Sequence, residues 1–350
     1  MSVANSSPKA STGQSSVFTD ILGMLAKPPF GPLLFLILTC AVFGLLPLIQ
    51  GEPQRFFTVR NFALIFQQSA IIGVLAIGQT LVILTSGIDL SNGLIMAFVS
   101  VITTGLAVRG VPFGPDGQII LVNPILAMFV GLLVGGVSGW LNGILVTGLK
   151  LPPFIVTLGT LNIMFALTRI YTTATINGLP EPLLFLGEAI TLGEAKIPYY
   201  AVCAVLFYLV IWFILSQTQI GRHIYAIGDN SEAAGLVGIP VNRILLTVYT
   251  FAGFLYAVAA ILLIARQENG DPQAGQTSNL ESITAVVLGG TSLFGGRGHI
   301  MGTLIGVLVI SVIRNGLTQQ GANPIIQTLV TGILVIVAVA IDQLSQRISK

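Results

Sequence analysis

Charge is scarce in this chain. Lysine, arginine, aspartate and glutamate together supply 8% of its 350 residues, while 54% are hydrophobic; soluble domains carry roughly 25% charge. A water-facing surface cannot be built from that stock, which excludes an ordinary soluble fold. The 15 basic residues nearly balance the 13 acidic ones, for a net charge of +2, and no basic stripe exists to neutralise phosphates, so no nucleic acid is expected as a partner. Cysteine occurs only at Cys40 and Cys203, each within an apolar run. There they act as small apolar residues and leave no disulfide framework. His223 and His299 stand far apart, without cysteine or acid at ligand spacing, so no metal site is expected. No Walker A sequence is present, so the chain does not cradle ATP phosphates in that way. No nucleophile and base stand out as a pair, and no catalytic residue is assigned.

What the chain has in quantity is long apolar runs, such as 33–49, 62–84, 123–146 and 201–215. Each approaches the ~20 residues a helix needs to cross ~30 Å of hydrocarbon. Hydropathy predicts spans over 31–49, 62–85, 90–108, 123–148, 154–173, 198–216, 244–265, 281–293, 299–316 and 324–342. The expected fold is therefore all-α: one polytopic membrane domain over residues 31–342 with about ten transmembrane helices. Residues 1–30 are Ser-rich and contain Lys9 and Lys27; the apolar run after them is too long for a signal-peptide core and lacks a cleavage site. An uncleaved cytoplasmic tail is expected there, and a second short tail over 343–350. With both termini inside, basic residues divide almost evenly between the two sides, so their count does not fix orientation.

The 40 glycines suit close helix approach in lipid. Gly131, Gly135, Gly139 and Gly143 repeat every four residues along one face and read as a packing seam, with Gly302 and Gly306 a shorter version. Around Gly289, Gly290, Gly295, Gly296 and Gly298 the glycines lack nucleotide-loop spacing and read as a tight turn between two spans.

The most polar connection with helix grammar lies between residues 216 and 244. Asp229 would cap a helix while Glu232, three residues on, reaches back to it. Gly238 suits the left-handed position past the helix end, and Pro240 stops it. The resulting helix, about 230–237 within a segment of 229–240, is too short to stand alone. It needs a surface, and Ala233, Ala234, Leu236 and Val237 offer a small, flat contact. Two uses remain open: packing against protein, its own or a partner's, or resting on lipid headgroups with Arg222, His223 and Arg243 drawn to anionic lipid.

Four further groups have competing readings. Asp89 ends an apolar run, where a carboxylate at membrane depth suggests gating, but Asp89 or Ser91 can equally cap the third span; Glu281, before the eighth span, divides the same way. Arg169 and Arg314 near span ends are expected to snorkel to the interface. Thr157, Thr160 and Thr168, with Asn162 nearby, form a hydroxyl stripe suited to a substrate path, though such groups commonly bond helix backbone instead. Asn142 and Trp140 are weaker path candidates.

Glu232-Ala233-Ala234 followed after three residues by Gly238 resembles the EAA coupling loop of permease subunits from bacterial ABC importers. Only Ile239-Pro240 follows, which resembles the shorter form of the ribose-type branch. The segments GQTLVILT at 78–85, GIDLS at 87–91, PFIVTLGT at 153–160 and AVVLGGTSLFGGRG at 285–298 are similar to the monosaccharide permease family. In order, they cover residues from about 60 to 342. The resemblance implies a type II ABC importer-like permease of the bacterial inner membrane, paired with a second copy of itself around a path for a monosaccharide or polyol. It further implies a periplasmic or extracellular binding protein outside and ATPase subunits inside. Glu232, Ala233, Ala234 and Gly238 would seat in a groove of the ATPase, which would use the ATP; this chain would bind no cofactor. The competing functions are an ABC permease for branched-chain amino acids or nucleosides, and an ion-coupled secondary transporter, for which Asp89 is nearly the only intramembrane carboxylate.

Overall fold

Hydrocarbon offers backbone amides no partner except the chain itself, so each long apolar run closes into a helix. A computed structural model describes residues 30–51, 53–113 and 118–348. The expected tail over 1–30 lies, apart from Phe30, outside the described residues. The helices of six or more residues, in chain order, are α1 (Phe30–Ile49), α2 (Val59–Leu84), α3 (Asn92–Arg109), α4 (Pro124–Gly148), α5 (Pro153–Tyr171), α6 (Tyr199–Gln217), α7 (Gln219–Asp229), α8 (Ser231–Leu236), α9 (Val241–Gln267), α10 (Ser278–Leu288), α11 (Ile300–Gln319) and α12 (Pro324–Ile348). Local signals set several starts. Thr58 accepts from the Asn61 amide at α2, Asn123 accepts from the Ile125 amide at α4, and proline opens α4, α5 and α12.

Among the described residues, eight helices are long and apolar enough to cross a membrane: α1 to α6, α9 and α11. The protein is a multi-pass membrane protein, as expected. The predicted crossing at 281–293 is instead α10, whose 11 residues rise about 16 Å, roughly half of the hydrocarbon thickness. It reads as a span because Ala285, Val286 and Val287 are apolar, but they are buried against protein. α12 is apolar over Pro324–Ala340 and stays helical to Ile348, so most of the expected tail at 343–350 is helix.

α2 and α9 form the centre of the bundle, with buried side chains on almost every face, while α1, α4, α5 and α6 turn apolar residues outward. The glycine seam holds α4 to α9: a Cβ on Gly139 would lie 2.9 Å from Gly253 Cα, and one on Gly135 would lie 2.5 Å from Ala257 Cβ. Gly302 and Gly306 serve α11 in the same way against Gly289 and Ala285.

Three short antiparallel pairings cap one end of the bundle: Val111–Phe113 with Gln118–Ile120, Ala189–Leu192 with Ala195–Pro198, and Ile176–Asn177 with Asn269–Gly270. α7 and α8 occupy the other end. The helices alternate direction, so both Phe30 and Ile348 finish at the α8 end.

Candidate functional site

Thr218 caps α7 by accepting from the Gly221 amide at 3.3 Å, and Gly221, Ile224, Ile227 and Gly228 form its buried face. One extended residue, Asn230, then breaks the helix. Its side chain accepts from the Ala233 amide at 2.9 Å and is the N-cap of α8. Asp229, expected in that role, is instead the last residue of α7, a helix the sequence reading did not place. The six-residue α8 ends as expected. Gly238 has φ +86°, its amide donates to Gly235 at 3.1 Å, and the Ile239 amide reaches back to the Ala234 carbonyl at 3.0 Å. Those two bonds make a Schellman motif.

The expected flat contact divides in two. Ala234, 4% exposed, anchors the knob inward, whereas Leu236 and Val237 are 89% and 78% exposed; Glu232 and Ala233 are exposed beside them.

Behind the knob lies a cluster that sequence reasoning missed. The Ser86 hydroxyl donates to the carbonyls of Gly228 at 2.9 Å and Phe294 at 2.8 Å. The Gly296 amide donates to Leu84 at 3.0 Å, and the Tyr225 hydroxyl to Gly298 at 3.0 Å. Glycine at 228 permits this approach, since a Cβ would strike the Leu84 carbonyl and the Gly296 amide. The glycine-dense turn therefore joins the end of α2 to α7. Each backbone amide from Gly290 to Gly296 has an acceptor, including the Asp342 carboxylate for Leu293.

At mid-bundle, Asp89 accepts from the Ser91 amide at 2.8 Å and from its hydroxyl. This is an Asx turn ahead of α3 rather than a cap on its first free amides. The Ser91 hydroxyl accepts from Asn142 at 3.0 Å, and Asn142 accepts from Thr160 at 2.6 Å, tying α3, α4 and α5 together. Thr157 donates to the carbonyls of Ile88 and Pro153, and Thr168 to that of Met164. Asn162 is exposed and donates to Leu158. The threonine hydroxyls of the stripe thus bond to carbonyls and to Asn142, holding α5 in place. Trp140 lies on an outward apolar groove between α4 and α9. A second buried cluster has Asn92 donating to Gln79 at 3.0 Å and to Ser282 at 2.8 Å.

A cavity of about 380 Å³ opens toward the end opposite α8, among α2, α3, α9, α10, α11 and α12. Gln68, Arg266, Gln267, Thr277, Glu281 and Arg314 supply polar walls, and Ile72, Met96 and Ile310 apolar ones. Arg314 contacts Glu281 at 2.7 Å, and the Thr277 hydroxyl donates to the same carboxylate at 3.1 Å. Two expectations are corrected here. Glu281 is too far along α10 to cap it and faces Arg314 instead, and Arg314 is held by this pair rather than snorkelling alone. Arg169 stacks over the Phe165 ring at 5.5 Å.

A bundle of membrane-crossing helices with a bare knob at one end and a charged cavity at the other makes a multi-pass membrane protein. The family described as branched-chain amino acid transport system / permease component matches residues 61–339. Over 331 residues the chain is 42% identical to the fructose import permease protein of Rhizobium meliloti, covering 93% of this chain and 88% of that one. Over 335 residues it is 40% identical to the ribose import permease protein of Bacillus subtilis (strain 168), covering 95% and 97%. Over 312 residues it is 35% identical to the ribose import permease protein of Escherichia coli (strain K12), covering 87% and 92%. No solved structure matches. The chain belongs to this permease family, and it is a transporter subunit rather than an enzyme.

Proposed function

We propose that this chain is the membrane-spanning subunit of an ATP-driven ABC importer that moves a monosaccharide or related polyol across the bacterial inner membrane by alternating access. The names of its relatives, fructose and ribose import permeases, support the substrate class. The observation that carries the mechanism is α8, where Ala234 is anchored and Leu236 and Val237 stand bare at the bundle's end. Exposed aliphatic side chains on a six-residue helix call for a protein groove. In this reading the groove belongs to an ATPase subunit, which uses the ATP, and this chain holds no cofactor. Asp229, Glu232, Ala233, Ala234 and Gly238 form the coupling element.

A loaded periplasmic or extracellular binding protein docks at the cavity end, and a second copy of the chain, within the surrounding lipid, completes the path. Closure of the ATPases pushes α8, and α7 passes the movement through Gly228 to Ser86 and the glycine turn. In the same reading the α8 end faces the cytoplasm, as do both termini; Phe30 and Ile348, the ends of the described chain, finish at that end.

The test is Leu236→Asp in proteoliposomes carrying the assembled importer. ATP-dependent uptake of ribose or fructose should fall at least tenfold, which corresponds to about 1.4 kcal/mol, while membrane insertion is unchanged. Undiminished uptake, or uptake driven by an ion gradient without ATP, would overturn the reading.

A further inference from the structure

The cavity opposite α8 has the chemistry of a binding site. Its size falls in the ~300–1,000 Å³ range of small-molecule sites. Its buried charged wall is the Glu281 side chain, 4% exposed, held by Arg314 and Thr277. A buried carboxylate beside a guanidinium offers acceptors and donors side by side, the arrangement that two neighbouring hydroxyls of a sugar ring satisfy. Gln68 adds an amide with both functions. Lipid chains find little matching surface in such walls, and a cation meets Arg266 and Arg314 against a single carboxylate.

The floor of the cavity is apolar, formed by Ile72, Met96 and Ile310. One helical turn beyond Met96 in α3, and two beyond Ile72 in α2, stand Asn92 and Gln79. Both are fully buried, and Asn92 Oδ1 and Gln79 Nε2 have no hydrogen-bond partner among the described residues. An open acceptor and an open donor at such depth are costly unless something uses them.

We propose that the cavity is a binding site for one neutral monosaccharide, recognised through a vicinal hydroxyl pair by Glu281 and Arg314, and that Gln79 and Asn92 form its next hydrogen-bonding station beyond the apolar floor. The proposal rests on the permease reading and adds to it a ligand site within the membrane domain. A sugar held there gives up its hydration to fixed side chains before it crosses the floor, and the open amide atoms receive its hydroxyls on the far side.

The test uses the full chain in lipid nanodiscs, with Cys40→Ala, Cys203→Ala and Ser278→Cys, the last placing a thiol on the cavity wall. Labelling by a water-soluble thiol reagent is followed with D-ribose, D-fructose, D-allose, D-galactose or D-glucuronate. At least one neutral sugar should slow labelling several-fold. Glu281→Gln should raise the concentration needed for half-protection about tenfold, measured against that variant's own sugar-free rate. Gln68→Leu gives a second reading of the same loss if the first variant folds poorly. Absence of protection by all four neutral sugars, protection by glucuronate alone, or protection indifferent to both substitutions would overturn the site. If ATP-dependent uptake persists in that case, the permease reading stands and only this site falls. Uptake that runs without ATP, with sugar protection intact, removes the importer reading and leaves the site.

Discussion

Ser86 and Gly228 are 142 positions apart, yet the serine hydroxyl donates to the glycine carbonyl at 2.9 Å. The bond ties the end of α2 to the helix that carries the knob. Ser86 adopts φ +63° to make it, a conformation that non-glycine residues avoid at a cost of about 1–2 kcal/mol.

Replacing Ser86 by glycine tolerates the left-handed backbone and removes the hydroxymethyl group that makes the bond. Ser86→Gly should insert and bind ATPase normally but import several-fold less sugar per ATP hydrolysed. Uptake and hydrolysis measured together in proteoliposomes check this. An unchanged ratio would show that the bond carries no coupling.

The two candidate caps of α8 can be separated. Asn230→Ala should weaken the knob by about 1 kcal/mol, the usual value of an N-cap, whereas Asp229→Ala should leave it intact. Proteolysis of the 230–240 segment in nanodiscs is the readout, and equal sensitivity of the two variants would contradict the observed cap.

Close approach at Gly228 predicts a packing defect. Gly228→Ala should lower stability by about 1–3 kcal/mol through overpacking against Leu84 and Gly296, visible as a reduced melting midpoint in detergent. Gly159→Ala, with nothing within 4 Å of its added carbon, is the control and should not lower it. Similar losses in both would refute the contact.

The long spans were legible because hydrocarbon thickness fixes their length and composition. α10 was not, since an apolar segment looks alike whether lipid or protein surrounds it; Ala285 and Val286 are fully buried. Gly238 was legible because a left-handed position selects its residue type, while the cap slipped by one because aspartate and asparagine serve equally well. The threonine spacing in α5 was real, but spacing does not reveal whether a hydroxyl faces a path or its own helix carbonyl, as Thr168 does at 2.7 Å. Glu281 and Arg314 were flagged one by one, but the cavity was not: Gln68, Arg266, Glu281 and Arg314 come from four helices, and only the fold brings them to one wall.

α10 stops halfway, and the glycine turn continues with the amides from Gly290 to Gly296 all engaged, one of them by the carbonyl of Leu84 and one by Asp342. A loop so fully tied cannot stretch without giving up hydrogen bonds that its backbone amides already make. In the proposed mechanism, movement arriving from α7 therefore reaches α10, α11 and the Asp342 end of α12 together through this turn.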